Sequence, residues 1–259
     1  MVLAKKSLGQ HWLSDEASLR QICRAAELGS TDIVLEIGPG QGSLTKHLVK
    51  RAGRVVAVEL DKRLAAKLAS DATPNLQVVQ ADILKFDLSR LPADYKVVAN
   101  IPYYLTSHLL RVLTESARPP AKMVLLVQKE VAERLAARPG QMSLLAAAAQ
   151  LDYEVELGRV VPAKLFKPPP KVDSQIVILD RRAKPLFNDL DRRAFFNLVK
   201  AGFSARRKKL RSALAGGLRL DKAAVDNWLE RAGLSGDARA QELDLADWKK
   251  LYDASLSKV

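Results

Sequence analysis

Asn100, Ile101, Pro102 and Tyr103 form the stretch of this sequence best suited to hold a planar amine. They follow the apolar run 97–99 and precede a segment with a helical pattern. Pro102 fixes its own φ angle and disfavours helix at Ile101, so backbone carbonyl groups here can point outward. The Asn100 side chain adds an oxygen acceptor, and Tyr103 adds an aromatic face for stacking. An ordinary turn between a strand and a helix explains the same residues, so the choice depends on the rest of the chain.

A glycine-rich loop and two acidic residues, each at the end of a predicted strand, form a second group. Gly38 and Gly40 belong to the loop 38–42, where glycine permits a tight turn and close approach of a ligand. Glu59 ends the next strand, where a carboxylate can accept hydrogen bonds from both hydroxyl groups of a ribose. Asp82 ends the third strand, beside the expected position of an adenine ring. Open α/β sheets bind ligands at this edge.

The spacing of the glycines bears on which ligand the loop binds. It is Gly-x-Gly-x-Gly here, whereas a nicotinamide dinucleotide site has Gly-x-Gly-x-x-Gly opening a helix onto the pyrophosphate. The sequence therefore favours an adenosyl ligand without phosphates, S-adenosylmethionine, over a nicotinamide dinucleotide. A glycine turn without any ligand is the third interpretation.

Short apolar segments alternate with helical patterns, and this order predicts an α/β fold with a largely parallel sheet covered on both faces. The predicted strands are 32–37, 54–59, 76–79, 95–99, 122–128, 153–161 and 174–180. The last two alternate apolar with polar residues and are predicted to form an antiparallel pair at one end of the sheet. The predicted helix caps are Ser14 or Asp15, Asp191, Ser204, Asp221 and Asp244.

The chain of 259 residues carries a formal charge of +13, and more than half of this surplus lies in the last 79 residues. Such a balance predicts nucleic acid or an anionic surface as the partner. We expect a catalytic domain with a basic N-terminal arm over 1–183 and a helical, basic RNA-binding domain over 184–259. The single cysteine, Cys23, indicates a reducing cytoplasm. No apolar run is long enough to cross a membrane, and the three histidines lack the spacing of metal ligands.

A basic run in the C-terminal region predicts contact with phosphates. Its cations, five within six residues and without an acidic neighbour, are Arg206, Arg207, Lys208, Lys209 and Arg211. A solvated charged helix face is the alternative, but this density favours phosphate binding. The residues expected to extend the same surface are Lys5, Lys6, Lys164, Lys167 and Lys171.

The motifs together resemble the KsgA/RsmA adenine dimethyltransferases of small-subunit ribosomal RNA. The matching stretches, in the family's order and spacing, are 9–13, 36–42, 59–61, 81–84, 100–103 and 166–174. The resemblance implies a seven-stranded class I (Rossmann-like) methyltransferase sheet followed by a small all-helical C-terminal domain. It also implies a monomer that uses S-adenosylmethionine to dimethylate two adjacent adenosines near the 3′ end of 16S rRNA, on a pre-assembled 30S-type subunit.

The resemblance further implies roles for individual residues. The expected cofactor contacts are His11, Leu13, Gly38, Gly40, Glu59, Asp82 and Asn100. Tyr103 and Phe166 are expected to stack on the target adenine, while Asn100 and the Ile101 carbonyl accept hydrogen bonds from its amine. His11 and Trp12 stand where many members of the family have Asn and Phe.

Three other functions fit parts of the sequence. An Erm-type dimethylase of large-subunit rRNA shares the Asn-x-Pro-Tyr turn, but the opening Gly9-Gln10 and the basic run favour the small-subunit enzyme. Methyltransferases of protein glutamine or DNA amines usually carry Asn-Pro-Pro-Tyr, from which Ile101 departs. A non-catalytic RNA-binding factor on the same scaffold would not need an intact glycine loop with Glu59 and Asp82.

Overall fold

The computed structural model describes residues 5, 8–71, 73–205 and 207–256. In chain order the strands are β1 (Trp12–Leu13), β2 (Ile33–Ile37), β3 (Arg54–Glu59), β4 (Leu76–Gln80), β5 (Lys96–Asn100), β6 (Lys122–Gln128), β7 (Tyr153–Val161), β8 (Phe166–Lys167) and β9 (Ser174–Arg181). The helices are α1 (Glu16–Ala25), α2 (Thr45–Leu48), α3 (Lys62–Ala69), α4 (Thr106–Thr114), α5 (Lys129–Leu135), α6 (Leu144–Gln150), α7 (Arg192–Phe203), α8 (Leu210–Leu218), α9 (Lys222–Arg231) and α10 (Leu245–Leu256). No helix among these residues is both long and apolar enough to span a membrane.

Seven strands form one mixed sheet in the order β4-β3-β2-β5-β6-β9-β7, which confirms the predicted strand number. The first five are parallel neighbours, and β9 pairs antiparallel with both β6 and β7. The centre of β5 is fully buried because helices cover both faces of a parallel sheet. This topology brings the carboxyl ends of β2, β3, β4 and β5 to one edge, where the candidate residues lie.

A second, two-stranded sheet was not predicted from the sequence. Strands β1 and β8 pair antiparallel, with Trp12 opposite Lys167 and Leu13 opposite Phe166. Two residues are too short to produce a recognisable alternation of apolar and polar side chains. The pairing ties the segment before α1 to the loop between β7 and β9.

The chain divides into two compact units, one of residues 1–133 and 153–181 and the other of residues 134–152 and 182–259. The second junction falls between residues 181 and 182, and the segment 134–152 groups with the helical unit and not with the sheet. Buried residues of α6 explain this, since Ala147 and Leu151 belong to the same core as Phe195 and Trp248. The roles assigned to the two domains stay predictions.

The helix caps in the helical unit follow the sequence with one exception. The side chains of Asp191, Asp221 and Asp244 each accept a hydrogen bond from a backbone N–H three residues on. The prediction for Ser204 is wrong, because it lies at the carboxyl end of α7 and its hydroxyl donates to the Ala201 carbonyl. As a result, residues 207–209 precede α8 and are not part of a continuous helix.

Candidate active site

A cavity of about 340 Å³ lies at the carboxyl edge of the parallel strands. Its walls include every residue predicted to contact a cofactor and the whole turn from Asn100 to Tyr103. These residues come from five separate segments of chain, which the parallel topology gathers at one place. The structure therefore unites the two groups of residues that the sequence presented separately.

The three glycines of the glycine loop each donate their backbone N–H to an acceptor within the protein. The N–H groups of Gly38, Gly40 and Gly42 donate to the Val58 carbonyl, to the Glu59 carboxylate and to the Pro39 carbonyl. A pyrophosphate needs such donors free, since they supply much of its binding. This arrangement argues against a nicotinamide dinucleotide and leaves the adenosyl ligand as the better fit.

Glu59 is buried where β3 ends, and the glycine loop fixes its carboxylate. Oε2 accepts from the Gly40 N–H at 3.0 Å, and Oε1 accepts from the Asp61 N–H at 2.8 Å. Each oxygen keeps a second lone pair, so the carboxylate can still accept from a ribose hydroxyl. Gly40 has a φ of +58°, and a Cβ there would lie 3.2 Å from the Trp12 indole, so the turn requires glycine.

Lys5, predicted to bind RNA, instead pairs with a buried carboxylate beside this site. Its ammonium lies 3.1 Å from Asp61, which also binds the Arg63 guanidinium at 2.8 Å. These two cations, Arg63 foremost, hold the pKa of Asp61 well below its usual range. Because the Asp61 N–H donates to Glu59, Lys5 is linked to the cavity wall.

Glu36 is the most unusual side chain in the cavity wall. It is only 1% exposed, and neither carboxylate oxygen has a well-formed hydrogen bond among the described residues, although the Thr45 hydroxyl lies close by. Burial raises the pKa of Glu36 to about 8; the Thr45 hydroxyl opposes this shift, and the nearby charge of Glu59 adds to it. A buried carboxyl group in the cavity wall favours a cationic ligand, because the positive charge of the ligand would stabilise the ionised form of Glu36.

Asn100 and Ile101 present two unpaired oxygens at the end of β5. The Asn100 Nδ2 group donates to the His11 carbonyl at 3.1 Å, which orients the side-chain amide. The buried Ile101 donates its own N–H to the Leu126 carbonyl at 3.1 Å. Within the described part of the chain, no donor reaches the Asn100 Oδ1 atom or the Ile101 carbonyl. Both oxygens can therefore accept hydrogen bonds from an amine.

Tyr103 is half-buried and has fixed neighbours. Its hydroxyl lies 2.8 Å from the Ser174 hydroxyl, and burial raises the pKa of Tyr103. The His11 ring stacks against it at 5.8 Å between centroids with 20° between the planes. Pro102 gives the turn its shape, with the Leu105 N–H donating to its carbonyl at 2.9 Å.

The structure does not bring Phe166 into the cavity. Its ring is 2% exposed and packs in the core of the sheet with Leu13, its partner across the β1–β8 ladder, and with Leu165. The position at a proline-rich loop predicted an available ring, but pairing with β1 turns this ring inward. In this conformation Phe166 supports the wall that carries Leu13 and offers no face to a base.

Asp82 and the cavity's apolar lining complete the wall. Asp82 caps the 3-10 turn 83–85 by accepting from the Leu84 N–H at 3.0 Å. Leu60 is 47% exposed directly after Glu59 and lines the cavity, as does Trp12, whose indole N–H is buried without a partner among the described residues. Sequence reasoning did not select Leu60, Trp12 or Glu36. Only Glu36 carried a signal, a charged residue inside an otherwise apolar strand.

The basic residues fall into two classes. Lys209 lies 2.6 Å from Asp237, and Arg211 pairs with Asp226, so neither charge is free as the run of cations predicted. Arg207 and Lys208 are exposed, and within the described residues they have no ion-pair partner. The same holds for Lys164, Lys167 and Lys171. Lys6 and Arg206 lie outside the described residues.

Comparison with known proteins identifies the family. A family model described as ribosomal RNA adenine dimethylase matches residues 1–255. A ribosomal RNA small subunit methyltransferase A from Dehalococcoides mccartyi is 43% identical over 253 residues, covering 96% of this chain and 87% of the relative. Another so named, from Ligilactobacillus salivarius, is 41% identical over 96% of this chain and 89% of its own length.

Solved structures agree with the sequence relatives. A dimethyladenosine transferase from Plasmodium falciparum is similar with a TM-score of 0.77 and 29% identity, covering 93% of this chain and 96% of that one. The 23S rRNA methyltransferase ErmE is similar with a TM-score of 0.75 and 32% identity, covering 94% and 98%. The sheet is thus the Rossmann-like methyltransferase sheet that the sequence predicted. The chain belongs to the ribosomal RNA adenine dimethylase family.

Proposed function

We propose that this protein binds S-adenosylmethionine in the cavity and transfers methyl groups to the N6 amines of two adjacent adenosines near the 3′ end of 16S rRNA. The observation that carries the proposal is the pair of unpaired oxygens, Asn100 Oδ1 and the Ile101 carbonyl, at the edge of a cavity suited to an adenosyl group. Membership of an rRNA adenine dimethylase family agrees with this chemistry.

The residues of the cavity fit this cofactor. When bound, S-adenosylmethionine supplies an electrophilic methyl group carried on a sulfonium ion. Glu59 would accept hydrogen bonds from the ribose hydroxyls, and Asp82 and Leu60, which also line the cavity, would hold the adenine. The buried carboxyl of Glu36 and the pairing of the Gly38, Gly40 and Gly42 N–H groups within the protein favour a cationic ligand over an anionic one. His11, Leu13, Gly38 and Gly40 complete the contact set that we propose.

Asn100 and Ile101 act on the substrate amine. The N6 nitrogen of adenine is a weak nucleophile because its lone pair is delocalised into the ring. Two fixed acceptors bind its two N–H groups, favour a pyramidal nitrogen and align its lone pair with the methyl group. Positioning and electrostatics therefore supply most of the acceleration. For the second transfer the amine has one N–H left, so one of the two acceptors gives up its hydrogen bond.

The target base must leave its stack to reach the site, at a cost of a few kcal/mol. Stacking on an aromatic ring returns about 1–3 kcal/mol per base. Tyr103 is the aromatic residue of the turn that lines the cavity, so we assign this contact to Tyr103 and keep Phe166 as a support of the cavity wall. Basic residues then hold the RNA backbone, and the exposed Arg207 and Lys208 are the strongest candidates in the helical domain.

Two observations bear on the choice of ribosomal subunit. The relatives at 40–43% identity carry the name ribosomal RNA small subunit methyltransferase A, whereas ErmE, named for 23S rRNA, is 32% identical. The higher identity favours the small subunit, and we propose a pre-assembled 30S-type particle as substrate. Such a particle implies action in the cytoplasm, and we expect the protein to act as a monomer.

The test uses purified protein, S-adenosylmethionine with a tritiated methyl group, and ribosomal subunits from a strain that lacks this modification. We expect label in the RNA of the 30S subunit, recovered as N6,N6-dimethyladenosine at two adjacent positions. Naked 16S rRNA and 50S subunits serve as controls. Label confined to the 50S subunit would replace this proposal with the Erm-type function, and cofactor binding without label in any RNA would favour a non-catalytic factor.

A further inference from the structure

The ring of Tyr103 is held at its hydroxyl group and on one of its faces. The hydroxyl lies 2.8 Å from Ser174 Oγ, and the His11 ring stacks on the aromatic system with its centroid 5.8 Å away. Tyr103 itself begins a single 3-10 turn, Tyr103–Leu105, so its own backbone offers little restraint. The orientation of the ring therefore depends on these two neighbours.

Ser174 provides a rigid anchor for the hydroxyl end. It is fully buried at the first position of β9, where it pairs with Gln128 of β6 on one side and Val161 of β7 on the other. A strand paired on both sides has little freedom to shift. Buried hydroxyl groups keep hydrogen-bond partners because leaving one unpaired is costly. The Ser174–Tyr103 pair thus favours one position of the phenol strongly.

His11 provides the second restraint and is itself fixed at two points. Its Nδ1 atom donates to the Pro168 carbonyl at 2.8 Å, since a carbonyl oxygen can only accept. Its own carbonyl accepts from Asn100 Nδ2. His11 thereby joins the segment before α1, the loop after β8 and the turn after β5. The Asn that many family members carry at this position can still donate to a carbonyl through Nδ2, but it has no ring to stack on Tyr103.

We propose that Ser174 and His11 are positioning residues that fix the Tyr103 ring, so that the target adenine stacks on the face of Tyr103 that His11 leaves free. The inference rests on the proposed function, because it assigns the adenine to Tyr103. It adds two residues that act through Tyr103 and selects one of two faces for the base. The near-parallel rings of His11 and Tyr103 leave no room for a base between them at 5.8 Å, since an inserted ring would need about 7 Å between the outer rings.

The decisive experiment compares Ser174→Ala, Tyr103→Phe and the double variant in single-turnover methylation of 30S subunits. Both single variants remove the same hydrogen bond, and each is expected to slow transfer about 10-fold, because small misplacements of a substrate reduce rates steeply. If Ser174 acts only through the Tyr103 hydroxyl, the double variant is no slower than Tyr103→Phe alone. The dissociation constant for S-adenosylmethionine is expected to stay within about 2-fold of the wild-type value.

A matched control separates positioning from general stability. Ser18 is also fully buried, and its hydroxyl donates to Asp15 at 2.6 Å, but it does not line the cavity. Ser18→Ala is expected to lower stability without slowing methyl transfer. For the stacked face, His11→Phe keeps a ring and His11→Asn removes it. With 2-aminopurine at the target position, fluorescence quenching on binding is expected to survive His11→Phe and to weaken in His11→Asn.

Two results would overturn the inference. The first is a methylation rate in Ser174→Ala equal to that of the wild type. The second is a double variant whose fold-reduction in rate equals the product of the fold-reductions in the two single variants. Crystal structures of the wild type and Ser174→Ala provide a readout that does not need activity. We expect the Tyr103 ring to be turned or spread over several positions in the variant, and an unchanged ring would refute the role of Ser174. A wild-type protein that fails to methylate any rRNA would instead refute the proposed function.

Discussion

Replacing Glu36 by Gln tests the electrostatics of the cavity in the absence of any ligand. Glu36 is 1% exposed, its carboxylate has no well-formed hydrogen bond in the described part of the chain, and burial raises its pKa from 4.5 to about 8 despite the nearby Thr45 hydroxyl. The folded protein therefore holds the proton over a range of pH in which the unfolded chain has released it. Gln has nearly the same shape and does not titrate.

The sign and size of the effect follow from these two pKa values. Below pH 4.5 both states bind the proton, so the contribution of Glu36 to the free energy of unfolding is fully present. Between pH 4.5 and 8 the folded state binds one proton more, and the free energy of unfolding falls by about 1.4 kcal/mol per pH unit. The loss reaches about 3 kcal/mol at pH 7 and about 5 kcal/mol above pH 8, where it levels off.

Urea unfolding of the wild type and Glu36→Gln at pH 6, 7, 8 and 9 measures this directly. The stability of the wild type relative to the variant is expected to fall by about 2–3 kcal/mol between pH 6 and pH 8 and to change little above pH 9. Glu156→Gln removes a carboxyl from an exposed position of β7 and controls for the change in net charge. A difference between wild type and Glu36→Gln that stays constant with pH would refute the assignment of a buried, protonated carboxyl.

Substitutions can also test the reaction, the RNA surface and the glycine loop. Asn100→Ala is expected to slow methyl transfer by at least about 10²-fold while the cofactor dissociation constant measured by calorimetry changes far less, and equal turnover would contradict its role. Replacing both Arg207 and Lys208 by Glu should weaken RNA binding and reduce the slope of log binding constant against log salt concentration by about two. An unchanged slope would count against phosphate contacts. Gly42→Ala is expected to cost about 1–3 kcal/mol in urea unfolding, because φ is +79° and the new Cβ would meet a leucine side chain at 2.8 Å. Gly216→Ala, inside α8 with nothing within 4 Å, should be neutral or stabilising.

The sequence predicts the sheet and its functional edge well because both depend on local patterns. Apolar runs alternating with helices specify parallel pairing, and parallel pairing alone brings Gly38, Glu59, Asp82 and Asn100 to one edge. Predicting that these four residues lie at one edge of the sheet requires no knowledge of contacts between distant segments. The same applies to helix caps such as Asp191, whose partner lies three residues away.

What the sequence does not predict depends on contacts between distant segments. Phe166 looked available at a proline-rich loop, but its pairing with Leu13, more than 150 residues earlier, buries it. Lys209 belongs to a run without acidic neighbours in sequence, yet folding places Asp237 beside it. Lys5 likewise meets Asp61 only in the folded chain. A run of charges or an aromatic residue in a loop is visible in the sequence. The residues that pair with it come from distant segments and are known only from the folded structure.

Dimethylation of adjacent adenosines of small-subunit rRNA by this chain can be measured directly in cells. The measurement is mass spectrometry of 16S and 23S rRNA from a strain lacking the gene, carrying either the wild-type gene or Asn100→Ala. We expect two adjacent N6,N6-dimethyladenosines near the 3′ end of 16S rRNA with the wild-type gene and unmodified adenosines with the variant. Unmodified 16S rRNA in the presence of the wild-type protein, or dimethyladenosine restored only in 23S rRNA, would contradict this expectation.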